Sequence, residues 1–200
     1  MKRTAPTSYL TIYDAIFSRI AQGHYRPVHR IGITALAQSL GVSTTPVREA
    51  LRQLAGRDVV LERHREGFYL APLNARAIIS LYAAHELWMD RVLQMPTHIP
   101  MKRGRHRSLW RLFESRTAAT GDPITISIRR YLDDRLLVLR RHEGAAHLHP
   151  DAHARDFAEA LANEDAQAAR AINREFHRKC RAAAGQLADT YEGHGQIRQI

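Results

Sequence analysis

A run of short hydroxyls and guanidinium groups, Ser43, Thr44, Thr45, Arg48 and Arg52, is spaced so that one helix face could carry most of it. A hydroxyl makes single hydrogen bonds, and a threonine methyl can touch the methyl of thymine. Arginine pairs two-pronged with guanine or grips phosphate oxygens. Thr34 lies upstream, and a second basic cluster, Arg63 and Arg65, runs into Gly67. The chemistry these residues can do is recognition of base edges and phosphates, not bond-making. The chain has 12 histidines, among them His147, His149, His153 and His177 in its last third, and imidazole suits zinc, nickel and similar ions. Cys180 is the single cysteine, which excludes an internal disulfide and a thiolate zinc site. Its neighbours Arg178, Lys179 and Arg181 could lower its pKa, although a lone cysteine on a helix is more often packing. No glycine-rich phosphate loop, nucleophile elbow or His-rich zinc hydrolase motif is present, so an enzyme is not expected.

The elements that must position these groups can be read from apolar spacing. Residues 33–54, ITALAQSLGVSTTPVREALRQL, form two short amphipathic helices hinged at Gly41. Leu36, Ala37 and Leu40 make the buried face of the first; Val47, Ala50, Leu51 and Leu54 make that of the second. Ser43 is the expected N-cap, and Pro46 falls in the first turn, where its missing N–H costs nothing. Thr44, Thr45 and Arg48 then face outward at the start of the second helix, with Arg52 a turn further on. A helix precedes the pair over residues 8–22, and the link GHYRPVHRIG reads as a loop. After Gly56, residues 59–63 and 68–73 read as strands, with His64-Arg65-Glu66-Gly67 as the hairpin tip and positive φ expected at the glycine. Three helices and a basic hairpin make a winged helix-turn-helix, whose second motif helix enters a DNA major groove. The bland alternatives are a solvated Arg48 paired with Glu49 or Asp58, and a hairpin tip that is merely soluble.

Residues 9–73 resemble the DNA-binding domain of the GntR family of bacterial transcription regulators. The resemblance is carried by Leu40-Gly41-Val42-Ser43, Thr45-Pro46-Val47-Arg48-Glu49-Ala50-Leu51 and the wing Glu66-Gly67-Phe68-Tyr69-Leu70-Ala71-Pro72-Leu73. It implies DNA contacts from Thr34, Ser43, Thr44, Thr45, Arg48, Arg52, Arg63, Arg65 and Gly67. Members of the family commonly carry arginine at the positions of Thr34, Thr44 and Arg48. Only the last is arginine here, so a different DNA site is expected, with Arg30, Arg52 and the wing arginines as sources of phosphate contact.

The second half is expected to be all helical. Residues 74–95, starting at Asn74, form a long helix with Ile78, Leu81, Tyr82, His85, Leu87, Trp88 and Val92 on one broad face. This helix resembles the first of the effector-binding and dimerisation domain in the FadR-type subgroup. Lys102, Arg103, Arg105, Arg107 and Arg111 crowd the next segment, either as a solvated face or as a second phosphate patch. Another helix follows over residues 124–142, a loop over 144–151, and two final helices beginning at Asp151 and Asp165. The space between residues 96 and 150 is short for the effector domain, so a shortened version is expected. The resemblance also implies a divalent metal held by three histidines and an acid. His153 and His177 are the candidates, each one residue, or about 100° of helix rotation, from the family's ligand positions.

The formal charge of +10, split evenly between residues 1–73 and 74–200, suits a polyanionic partner. No apolar run has the length of a membrane span, and the N-terminus lacks a signal-peptide core. The expected architecture is therefore mainly α. A winged helix-turn-helix over residues 1–73 precedes an all-α helical bundle over residues 74–200 that binds ligand and dimerises. The expected function is a cytoplasmic, ligand-responsive repressor, a homodimer on a palindromic double-stranded DNA operator, with an organic acid or similar metabolite as effector. The alternative is a non-switching DNA-binding module whose second half only dimerises or recruits a protein partner.

Overall fold

The structure, a computed structural model, describes residues 9–27, 29–97 and 108–193. Lys102, Arg103, Arg105 and Arg107 of the basic run fall outside the described residues. The first helix, α1 (Tyr9–Ala21), buries Ile12, Ile16 and Ile20 at four-residue spacing. It packs on α3 (Thr44–Ala55), which follows α2 (Ile33–Leu40). Gly41 closes α2 in the left-handed region, φ 70°, so that the Gly41 and Val42 amides donate back to the carbonyls of Gln38 and Ala37. Val47, Ala50, Leu51 and Leu54 of α3 are fully buried, the face that their spacing predicts. Truncating Leu51 alone to alanine would cost about 2–5 kcal/mol. Ser43 occupies the N-cap position of α3 with extended backbone, but its side chain makes no capping bond, which leaves the hydroxyl outward.

The wing pairs β1 (Val60–Arg63) with β2 (Gly67–Leu70) antiparallel, in register from Val60 opposite Leu70 to Arg63 opposite Gly67. Both strands end short of the expected runs: the Ala71 amide still donates to the Val59 carbonyl at 3.1 Å, and beyond it Pro72 and Leu73 lead into the next helix. The 23–32 link is also more than a loop. Pro27 and Arg30 bridge to Leu70 and Tyr69, and the Ile31 amide donates to the Phe68 carbonyl at 2.7 Å. The link therefore covers the free edge of β2.

Asn74 caps α4 (Ala75–Leu93), its side chain accepting from the Ala77 amide at 2.9 Å. Around α4 stand α5 (Leu109–Ala118), α6 (Pro123–Arg140), α7 (Ala154–Ala162, after a 3-10 turn at Pro150–His153), α8 (Ala166–Ala182) and α9 (Ala184–Gly193). Two expectations are corrected here. Leu87 is 72% exposed, because position 87 lies across the helix from the 78–82–85–89–92 stripe; Met89 fills the buried place instead. The last predicted helix is two, with a bend at Ala183. Gly185, two residues beyond the bend, is the one helix-weakening residue beside it. The bend lets Leu187, Ala188 and Tyr191 turn back into the core, where the Tyr191 hydroxyl donates to the Ala71 carbonyl at 2.9 Å. Among the described residues no helix is long and apolar enough to cross a membrane.

Candidate nucleic-acid interface

On α3, Thr44, Arg48 and Arg52 follow one another at four-residue spacing opposite the buried stripe, with Thr45 beside them. All four are exposed, as are Ser43 and Thr34. Arg48 makes neither ion pair nor hydrogen bond among the described residues; Asp58, one partner weighed for it, is instead held by Tyr131 and Arg135. A long cation left unpaired at a helix start is open to an incoming phosphate or base. Arg52 reaches Glu62 of β1 at 3.4 Å, which joins the exposed face of α3 to the wing. This pair is exposed and contributes little stability.

In the wing, Arg63 lies over the Tyr69 ring, 4.6 Å from its centroid, and pairs with Glu66 at 3.5 Å. Arg65 and Gly67 both have positive φ, 62° and 111°. The Arg30 guanidinium lies against Gly67, where a Cβ would meet Arg30 Nε at 3.2 Å. The structure thus brings Thr44, Thr45, Arg48 and Arg52 onto one helix face and ties that face to the hairpin bearing Arg63, Arg65 and Gly67. Thr34 is exposed in the first turn of α2. Arg30 joins the wing through a strand bridge that its sequence neighbourhood does not announce.

The helical half contains a buried polar core that periodicity alone does not single out. His85 and His177 stack with ring centroids 4.9 Å apart, and His85 Nδ1 lies 2.7 Å from His177 Nε2. His177 Nδ1 faces the Asn173 carbonyl at 2.7 Å. A carbonyl only accepts, so Nδ1 of His177 carries its proton and Nε2 accepts from His85. That leaves the Nε2 lone pair of His85 toward Asp133, 3.5 Å away. Burial holds both imidazoles below the ordinary histidine pKa, His177 far below it. Burial would raise Asp133, but Arg129 and Arg140, both bonded to it, hold the carboxyl low. Glu143 accepts from Tyr82 and Trp110, both at 3.2 Å, and burial pushes it up to about 7. The sequence signals were His85 on the apolar face of α4 and Arg129, a charge at the apolar phase of α6 shared with Thr125, Leu132 and Leu136.

The implied metal does not fit this arrangement. Both nitrogens of His177 are engaged, while His153 sits at the start of α7 with its ring edge-on to Phe176. Among the described residues no three His, Cys, Asp or Glu side chains converge as a ligand set. Cys180 is fully buried, and burial pushes its thiol pKa up, so the basic neighbours do not activate it.

Three helices, a covered two-stranded hairpin and a following helical bundle define a winged helix-turn-helix protein with an α-helical second half. Residues 8–70 match the family of bacterial regulatory proteins named gntR. An HTH-type transcriptional regulator of Bacillus subtilis, YdhC, is 37% identical over 82 residues, 40% of this chain and 37% of that protein. The Nta operon transcriptional regulator of Aminobacter aminovorans is 39% identical over 59 residues, 30% of this chain and 28% of that protein. The matches thus span well under half the length of these curated relatives. Beyond them the likeness is one of fold. A GntR regulator structure from Rhodococcus sp. RHA1 superposes with TM-score 0.69 at 16% identity, covering 95% of this chain and 99% of that one. E. coli McbR/YncC gives 0.64 at 18%, covering 89% and 97%.

Proposed function

We propose that this protein is a sequence-specific DNA-binding transcription regulator of the FadR-type subgroup, acting as a homodimer on a palindromic operator and repressing until a small molecule releases it. The observation that carries the reading is the unpaired Arg48 on the exposed Thr44–Arg52 face of α3, tied to a basic wing inside a segment that matches the gntR family. In this reading α3 lies in the major groove, with Thr44, Thr45 and Arg48 toward base edges. Ser43, Thr34, Arg52 and the wing residues Arg63, Arg65 and Gly67 hold the sugar-phosphate backbone. With a single arginine at the reading edge, the operator differs from that of arginine-rich relatives. Exposed Ile79 and Leu87 on α4 and Ile124 and Ile128 on α6 supply apolar surface for a two-fold interface. Two winged helices related by that axis would read half-sites about one helical turn apart or closer.

The test is selection of bound sequences from random double-stranded DNA, followed by Arg48→Ala on the selected operator. The substitution is expected to weaken binding by about 1–3 kcal/mol and to relax preference at one base position. Selection that yields no enriched sequence, or unchanged binding by the variant, would remove α3 as the reader.

A further inference from the structure

The α1–α2 link brings an arginine to the wing that the hairpin itself does not encode. Pro27 bridges to Leu70 and Arg30 to Tyr69, and the Ile31 amide donates to the Phe68 carbonyl at 2.7 Å. Across the wing the order is therefore β1, β2, link. Neighbouring strands stand about 4.8 Å apart, so the Arg30 backbone lies roughly 10 Å from β1. Glu62 of β1 holds Arg52 of α3, which puts Arg30 on the far edge of the wing from that contact.

The arginines around the wing are not equivalent. Arg52 is taken by Glu62 at 3.4 Å. Arg63 is held twice, over the Tyr69 ring at 4.6 Å and by Glu66 at 3.5 Å. Arg65 sits in the turn itself, at φ 62°. The Arg30 side chain is exposed and makes neither ion pair nor hydrogen bond among the described residues. It is nevertheless placed, because its guanidinium rests on the bare α-carbon of Gly67. A Cβ there would meet Nε at 3.2 Å and Nη2 at 3.6 Å. Gly67, at φ 111°, thus turns the hairpin and clears the space for this guanidinium. A cation already resting on a strand loses less freedom on binding than one on a free side chain.

With α3 in a major groove, an edge set roughly 10 Å beyond β1 passes the phosphate ridge and faces the adjoining minor groove. That groove narrows where A·T pairs run together, and its deepened negative potential draws in arginine without a base-specific bond. Lysine suits such a place less well, because its ammonium is more strongly hydrated. We infer that Arg30 is a specificity-determining residue. Its guanidinium enters the minor groove flanking each half-site, and the DNA partner carries A·T pairs there. The flank is read by groove width and potential, not by base edges. This role rests on the regulator reading above.

The test uses the full chain. Selection from random double-stranded DNA is expected to enrich A·T pairs on the outer flanks of the half-sites. The selected operator is then made with A·T, inosine·cytosine or G·C flanks, and affinities are compared at one salt concentration. Inosine lacks the minor-groove amino group of guanine but keeps its major-groove acceptors, so these flanks separate the two grooves. A·T and inosine·cytosine flanks are expected to bind alike, and G·C flanks about tenfold more weakly. Arg30→Ala and Arg30→Lys are each expected to remove most of that difference while unfolding at the same urea concentration as the original. Lysine would keep a phosphate contact, so an undiminished preference in Arg30→Lys overturns the role. Equal weakening on all three flanks by Arg30→Ala marks a phosphate contact or a brace for Gly67 and overturns it too. An enriched core without A·T flanks, or inosine·cytosine flanks that behave as G·C, does the same and leaves the regulator reading standing. Selection that enriches no sequence removes the regulator reading, and the role of Arg30 with it.

Discussion

Glu143 offers a stability test that separates a buried acid from a buried ion. Its carboxyl accepts from the Tyr82 hydroxyl and the Trp110 indole, both at 3.2 Å, and is 2% exposed. Burial, opposed by those two donors and by Arg140, raises it from 4.5 to about 7. The folded protein therefore keeps this proton between pH 4.5 and 7, where the unfolded chain has already released it. Stability from this group is fully present below the unfolded value and falls as pH rises toward 7, by roughly 3 kcal/mol in all. Glutamine has the shape of the protonated acid. Its oxygen can accept from Trp110, and its amide can donate to the Tyr82 hydroxyl, which rotates to accept. Glu143→Gln is thus expected to match the original at pH 5 and to exceed it by about 3 kcal/mol at pH 8. Urea unfolding of both proteins at the two pH values measures the difference. His85 and His177 add an opposite slope, stability lost as pH falls below the ordinary histidine range, but both proteins share it and it cancels. A variant less stable than the original at pH 8 would show that Glu143 is an ionised partner of Arg140, and the reasoning from burial would be refuted.

Three further outcomes follow from local geometry. Gly67→Ala forces a side chain to φ 111° with a Cβ 3.2 Å from Arg30 Nε; a loss of roughly 1–3 kcal/mol in stability is expected, and an unaltered midpoint in urea would show that the wing tolerates another backbone. Tyr191→Phe leaves the buried Ala71 carbonyl without the hydroxyl 2.9 Å away and should cost about 1–3 kcal/mol by the same measurement. Native Cys180, fully buried with its thiol pKa raised, should resist iodoacetamide until the protein unfolds; rapid labelling of native protein would mean that α8 opens readily.

Much of the winged helix-turn-helix was legible because its logic is local. Gly41 closes α2, and Val47, Ala50, Leu51 and Leu54 at helical spacing turn Thr44, Arg48 and Arg52 outward whatever else the chain does. Gly67 at the end of a basic turn announced the hairpin in the same way. The bend at Ala183 was only weakly marked, by Gly185 after a run of alanines, and distant packing decides where the helix turns. Hydrophobicity alone makes Leu87 core, whereas its phase on α4 exposes it.

By itself, then, the sequence determined a winged helix-turn-helix followed by a helical half, and which side chains of α3 face outward. Tertiary structure decided which polar groups share the interior. His85 and His177 are separated by 92 residues, and Tyr82 and Glu143 by 61, yet each pair is in hydrogen-bond contact. Arg57 and Asp134, 77 apart, meet only because α6 crosses back over the α3–β1 turn. Periodicity orders residues within one element, where backbone geometry fixes their neighbours. Pairings between elements depend on how whole helices dock, and a buried charge such as Arg129 finds its partners only there.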